Sequence, residues 1–157
     1  MTPVGPRTPI ALYTRLLEAW NRRDALAFAA LFTADGHTVG FDGSQMNGRD
    51  EIASTLKGIF EQHQTASYVA SVREVRELGS AVVLIRAAVG MVPPGQNELN
   101  PAVNAIQSVV LNEADGALWI ALLHNTPAAF HQDPEAADAL TRELTEVLRS
   151  GRVVQAR

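Results

Sequence analysis

The stretch Pro101–Pro127, PAVNAIQSVVLNEADGALWIALLHNTP, reads as two long, largely apolar strands joined at Ala114-Asp115-Gly116. Asp-Gly is the tight-turn dipeptide whose backbone matches the twist of an antiparallel hairpin, so this hairpin is expected at the centre of a sheet. It also carries polar side chains: Asn104 and Gln107 in the first arm, His124 and Asn125 at the end of the second. Apolar strands with a few polar groups are what a lined pocket needs. Alternation splits each pair between the two faces, because Asn104 and Gln107 differ by an odd number and His124 and Asn125 are adjacent. One member of each pair is expected inside, and a bulge would be needed to bring both His124 and Asn125 in.

Upstream, Ala81 to Val92 forms an almost unbroken apolar strand, with Arg86 in its middle and Gly90 suggesting a bulge or bend. Arg86 calls for a carboxylate partner or a sheet face covered by a second subunit. Before it, Ser67 to Leu78 is extended, with charges in its second half that keep one face wet, and Gly79-Ser80 supplies the turn. Pro93-Pro94-Gly95 to Asn100 is a loop of the kind that rims sites.

The N-terminal third is helical. Thr8-Pro9 is a capped start for a helix to about Asn21, with Ile10, Tyr13, Leu16, Leu17 and Trp20 on one face. Tyr13 and Trp20 are either core aromatics or cavity lining, each with a polar tip that needs a partner. Asp24 caps a short second helix, Ala25 to Phe32, which Thr33-Ala34-Asp35-Gly36 ends. His37 to Phe41 is a short strand closed by the turn residues Asp42-Gly43, and Asn47-Gly48 leads into a third helix, Arg49 to about Gln62. Downstream of the hairpin, Asp133-Pro134 starts a last helix to about Arg149, with a stripe of Ala137, Leu140, Leu144, Val147 and Leu148.

The chain has 157 residues, enough for one domain, which is expected to run from residue 9 to 150 between a loose arm, 1–8, and a flexible tail, 151–157. No cysteine is present, which excludes disulfides and thiolate chemistry and fits a reducing, cytoplasmic setting. Thirteen basic and seventeen acidic residues give a net charge of -4, against a nucleic-acid surface. No run of about 18 apolar residues points to a membrane span, and the proline-rich start has no signal-peptide core. No metal-ligand spacing, Gly-rich dinucleotide loop or redox thiol is present, so no metal and no cofactor is expected and oxidoreductase activity is unsupported.

The order helix, helix, strand, helix, then four long antiparallel strands resembles the nuclear transport factor 2-like superfamily, also called SnoaL-like or ketosteroid-isomerase-like. The motifs that carry the likeness are Trp20-Asn21 with Arg23-Asp24, FTADG at Phe32 to Gly36, NGRDEI at Asn47 to Ile52, and DGALWIALLHNTP at Asp115 to Pro127. Within it, PAVNAIQ paired with LLHNTP is most similar to the SgcJ/EcaC family. The resemblance implies an α+β, cone-shaped, cystatin-like fold: a curved, mixed, mainly antiparallel sheet wrapped around N-terminal helices, here with an extra C-terminal helix. It also implies a place in polyketide or enediyne antibiotic biosynthesis, with an apolar polyene or polyketide ligand and a possible polyketide synthase partner. Ketosteroid isomerases carry a general-base carboxylate on the first strand. The corresponding count from Asp35 reaches Asp42, while alignment on Thr38-Val39 reaches Phe41.

Two residues are then candidates for proton transfer. His124 ends an apolar strand that would keep its imidazole neutral, suited to a general base, or else it is a core histidine satisfied by backbone. Asp42 stands at the cavity mouth, or else bonds its own backbone in the turn. Ligand-lining candidates are Tyr13, Trp20, His37 at the rim, Phe41, Asn104 and Asn125. Asn104 is placed inside because the resembling family has an asparagine in the same context, with Gln107 on the outer face. His63 is assigned a helix-end contact and His131 an exposed loop. Two functions follow, a cofactor-independent cyclase or isomerase, or a non-catalytic module that binds the ligand or presents it to a synthase. Strands apolar at both parities, with helices on one face only, call for a homodimer.

Overall fold

Residues 8–156 are described by the computed structural model. Thr8 caps α1 (Pro9–Asn21) by accepting a hydrogen bond from the Ala11 amide, and Pro9 occupies the first turn. The buried stripe of α1 is Leu12, Tyr13, Leu16 and Leu17. Its last turn is tied to the start of β3 (Ser67–Gly79): Asn21 Oδ1 accepts from the Tyr68 amide at 2.7 Å and Asn21 Nδ2 donates to the Tyr68 carbonyl at 3.0 Å. The Trp20 indole N–H donates to the Ala66 carbonyl at 2.9 Å. These bonds fix where Tyr68 sits.

Asp24 caps α2, which covers only Ala25–Ala29 rather than reaching Phe32. The chain leaves the helix because β1 (Phe32–Val39) pairs in parallel with β6 (Ala117–Pro127), and the Leu31 carbonyl already accepts from the Ile120 amide. Thr33 to Gly36, expected to end a helix, is instead an irregular part of this strand. A Cβ at Gly36 would lie 2.7 Å from the Ile120 carbonyl oxygen, so the close approach of the two strands requires glycine there. β1 ends at Val39, and a tight loop returns it into β2 (Gln45–Asn47), a strand not foreseen because the loop chemistry of Phe41 to Ser44 masks so short a segment. α3 (Arg49–Gln62) occupies the expected range, and the Glu51 carboxylate accepts from the Asn47 amide at its start.

β3, β4 (Val82–Val92), β5 (Ala105–Ala114) and β6 form the long antiparallel run, with a 3₁₀ turn at Pro101–Val103 where β5 was expected to begin. α4 (Pro134–Arg149) follows, and the segment expected as a flexible tail contains β7 (Val154–Ala156), parallel to β3. β7 covers the N–H and C=O groups that β3 would otherwise present as a free edge. The arm expected before Thr8 lies outside the described residues. The sheet order is β2-β1-β6-β5-β4-β3-β7.

The inner face of this sheet packs on α1, α2 and α3 in the main core, which includes Leu16, Phe32, Leu56, Val72, Ile85, Val109 and Ile120. A second cluster lies on the outer face, where Leu140, Leu144 and Val147 of α4 meet Val69 and Ala88. One part of the outer face is thus covered by the chain's own last helix, not by a second subunit. Gly90 marks neither a bulge nor a bend in the pairing of β3 and β4. A Cβ there would stand 3.0 Å from Leu99 and 3.2 Å from Leu144, so its missing side chain lets α4 come down onto the sheet. Arg86 lies on the outer face opposite Glu74, with nitrogen and oxygen 3.8 Å apart, so it has the carboxylate partner its position demands.

Candidate functional site

A cavity of about 490 Å³ opens between α1, α2, α3 and the inner face of the sheet. Its walls are mostly apolar, with Leu17, Trp20, Phe28, Leu56, Ile59, Met91 and Leu123 among them. Trp20 holds the aromatic wall together, with ring centroids 5.9 Å from Phe28, 5.2 Å from Phe60 and 5.5 Å from Tyr68. Phe41, Asp42, Ser44, Gln45 and Met46 form the β1–β2 side of the mouth.

Polar groups meet at the inner end. Tyr13 is fully buried and its hydroxyl donates to Gln107 Oε1 at 2.5 Å. Gln107 Nε2 donates to Asn125 Oδ1 at 2.8 Å, and Asn125 Nδ2 donates to the Val39 carbonyl at 3.1 Å. The chain of bonds therefore runs from α1 through β5 and β6 to β1. Burial pushes the Tyr13 phenol well above its ordinary pKa, and the nearby Tyr68 adds to the shift. Burial pushes Tyr68 up to about 12. Both phenols are neutral at physiological pH.

The structure divides the expected residues. Trp20, Phe41 and Asn125 line the cavity with Asp42 at its rim, and Tyr13 reaches it through Gln107. Asn104 does not. It faces outward beside Ile106, where its Nδ2 donates to Thr141 Oγ1 of α4 at 3.0 Å, and Gln107, expected outside, takes the inner position with Ala105, Val109 and Leu111. The exchange follows from strand parity: these inner residues are all odd-numbered and Asn104 is even.

His124 is also outside, exposed on the outer face opposite Ser108. A register shift in β6 is the cause. Leu118 and Ile120 pack in the inner core, and a regular strand would carry Leu122 and His124 there too. The pairing instead slips by one residue between Ile120 and Leu122, so Leu123 and Asn125 face inward. His37 is exposed and its neighbour Thr38 lines the cavity. Asp42 is exposed and accepts from the Ser44 hydroxyl at 2.6 Å and the Ser44 amide at 2.9 Å. These bonds, the hydroxyl first, lower its carboxyl pKa and make it a weaker base. His63 caps α3 through its backbone amide, and His131 is exposed.

Sequence reasoning missed Tyr68 and misplaced Gln107. The signal for Tyr68 was its alternation with Ala70 and Val72, both in the inner core. Among the described residues, no group of three or more His, Asp or Glu side chains is arranged as metal ligands would be, and no helix is long and apolar enough to cross a membrane.

A family model described as SnoaL-like domain matches residues 10–129. No curated protein matches the chain significantly. Among solved structures, a domain of unknown function with a cystatin-like fold from Nostoc punctiforme is similar, with 24% identity, a TM-score of 0.72, and 89% of this chain and 91% of that one covered. A ketosteroid isomerase-like protein from Erwinia carotovora atroseptica has 21% identity and a TM-score of 0.59 over 76% of this chain and 93% of its own. ActVI-ORFA from Streptomyces coelicolor has 18% identity and a TM-score of 0.61 over 76% and 94%. The fold is the expected cystatin-like, nuclear transport factor 2-like α+β fold.

Proposed function

The chain belongs to the SnoaL-like domain family, and from that premise we propose that it binds a small apolar molecule of the polyene or polyketide kind. The carrying observation is the 490 Å³ cavity, apolar on its walls and polar at one end. A cavity of this volume lies in the range of small-molecule sites, with a few polar groups fixing orientation. Natural-product biosynthesis is the setting implied by the motif resemblance to the SgcJ/EcaC family. Enediyne biosynthesis is the narrowest form of that reading.

Binding and orienting the ligand is favoured over proton transfer. His124 is outside, Asp42 is engaged by Ser44, and both tyrosines are neutral. A cyclase or isomerase reading keeps one specific support, that Asp42 lines the cavity mouth, where a ligand proton could reach it. A synthase partner receiving the ligand from this mouth is compatible with either reading. We further propose a homodimer formed through the outer sheet face beyond α4. Leu84, Val110 and Leu122 lie side by side there in register and are only half-buried.

The test is thermal stability in the presence of apolar polyenes and polycyclic aromatics. A ligand at 100 times its Kd should raise stability by about 2.7 kcal/mol, a rise in Tm of roughly 5–10 °C. Met46→Trp, filling the cavity from the β2 side, should remove the effect. No shift with any probe, or a shift that survives the filled cavity, would refute the binding reading.

A further inference from the structure

The hydrogen-bond chain at the inner end of the cavity has a direction. Its terminal group, the Val39 carbonyl, can only accept, so Asn125 must turn its amide nitrogen toward it. Asn125 Oδ1 then faces Gln107 and must receive the Gln107 N–H, which turns Gln107 Oε1 toward Tyr13. The Tyr13 proton is committed to Gln107. What remains unspent on the amides is the second N–H of Gln107 and of Asn125.

Tyr68 adds a further donor. Its ring lines the cavity, and among the described residues no protein group is hydrogen-bonded to its hydroxyl. The backbone of Tyr68 is held at both its N–H and C=O by Asn21, so the ring is presented from a fixed point. Its raised pKa keeps the proton on the oxygen, where it can be donated. At this inner end the opposite need, an acceptor for a ligand N–H or O–H, is less well met: the Gln107 and Asn125 oxygens each already receive a bond, and the Asp42 carboxylate stands away at the mouth.

We infer that the cavity selects neutral apolar molecules carrying a hydrogen-bond acceptor, a ketone or enone oxygen, which takes the Tyr68 hydroxyl and a free amide N–H of Gln107 or Asn125. This rests on the ligand-binding reading above and narrows it to a chemical class. Tyr68 is the residue that confers the choice. It touches the ligand oxygen directly, and the Tyr13–Gln107–Asn125 chain sets which way the amides face.

The test uses three tricyclic probes of nearly equal size: 9-fluorenone, an acceptor; fluorene, a hydrocarbon; and carbazole, an N–H donor. Each is titrated against the intact protein by tryptophan fluorescence. Fluorenone should bind about 5- to 10-fold more tightly than fluorene, the gain expected from one or two net hydrogen bonds. Carbazole should show no such gain. Tyr68→Phe should remove most of the fluorenone advantage and leave fluorene affinity within about twofold, since the lost hydroxyl has no protein partner. A second readout is independent of the variant's folding: the infrared carbonyl stretch of fluorenone bound to the unsubstituted protein should move to lower frequency than in an apolar solvent. Equal binding of all three probes, a preference for carbazole, or an unshifted carbonyl band would overturn the inference while leaving an apolar binding site in place. Failure of all three to bind would overturn both.

Discussion

Replacing Gln107 with leucine keeps the side-chain volume and removes both amide groups from the middle of the inner chain. Two partners are then stranded. The Tyr13 hydroxyl, with no exposed surface, loses its acceptor, and leaving a buried polar group unsatisfied costs about 1–3 kcal/mol. Asn125 loses its donor at Oδ1 but lines the cavity, where water can replace the bond, so its cost should be below about 1 kcal/mol. The sum, about 1–4 kcal/mol, should lower Tm by roughly 3–15 °C for a chain of this length. Tyr13→Phe alone should cost about 1–2 kcal/mol, because Gln107 Oε1 is then the stranded atom. The double variant removes both partners and leaves an apolar contact. It should be more stable than the two single costs imply by about 1–2 kcal/mol. The assay is urea unfolding followed by circular dichroism, with the m value checked for constancy. Additivity within about 0.5 kcal/mol, or a Gln107→Leu variant as stable as the parent, would show that these groups do not form the buried pair.

The chain has two tyrosines, both with raised pKa, so alkaline titration at 295 nm should show almost no tyrosinate near pH 10 in the folded protein. Because the folded state holds these protons above the ordinary value of 10, stability should fall as pH rises from about 10 toward 12; an early titration step with folding intact would contradict both burials. Gly90→Ala should destabilise by about 1–3 kcal/mol by pressing on Leu99 and Leu144, while probe affinity in the separate inner cavity stays unchanged. Ser44→Ala should move the Asp42 carboxyl pKa up toward its ordinary value in an NMR titration, and an unmoved value would mean that the hydroxyl does not hold that carboxylate. Leu84→Glu on the outer face should convert a dimer to a monomer in light scattering, and a monomeric parent at micromolar concentration would refute the dimer outright.

Much of the architecture was legible because its signals are local. Caps at Thr8 and Asp133, prolines at helix starts and the Asp115-Gly116 turn mark element ends through the chemistry of a few neighbouring residues. What failed was set by distant contacts. The parallel pairing of Phe32 with Ile120 shortens α2, and nothing near Phe32 announces a partner so far along the chain. The tail becomes β7 because the β3 edge is open to it. In the site, the decisive feature is the one-residue slip after Ile120, which exchanges the faces of His124 and Asn125. No glycine or proline marks it, so alternation alone could state that one of the two faces inward and could not choose. Asn104 was placed by family context, and the position of α4, where Thr141 takes its amide, decides otherwise.

The most direct measurement is a crystal structure of the protein soaked with 9-fluorenone. The ring system is expected between Trp20, Leu56 and Leu123, with its oxygen within about 3.2 Å of the Tyr68 hydroxyl. Density in the cleft between α4 and the 93–100 loop instead, or an empty inner cavity at saturating probe, would contradict the assignment of this cavity as the ligand site.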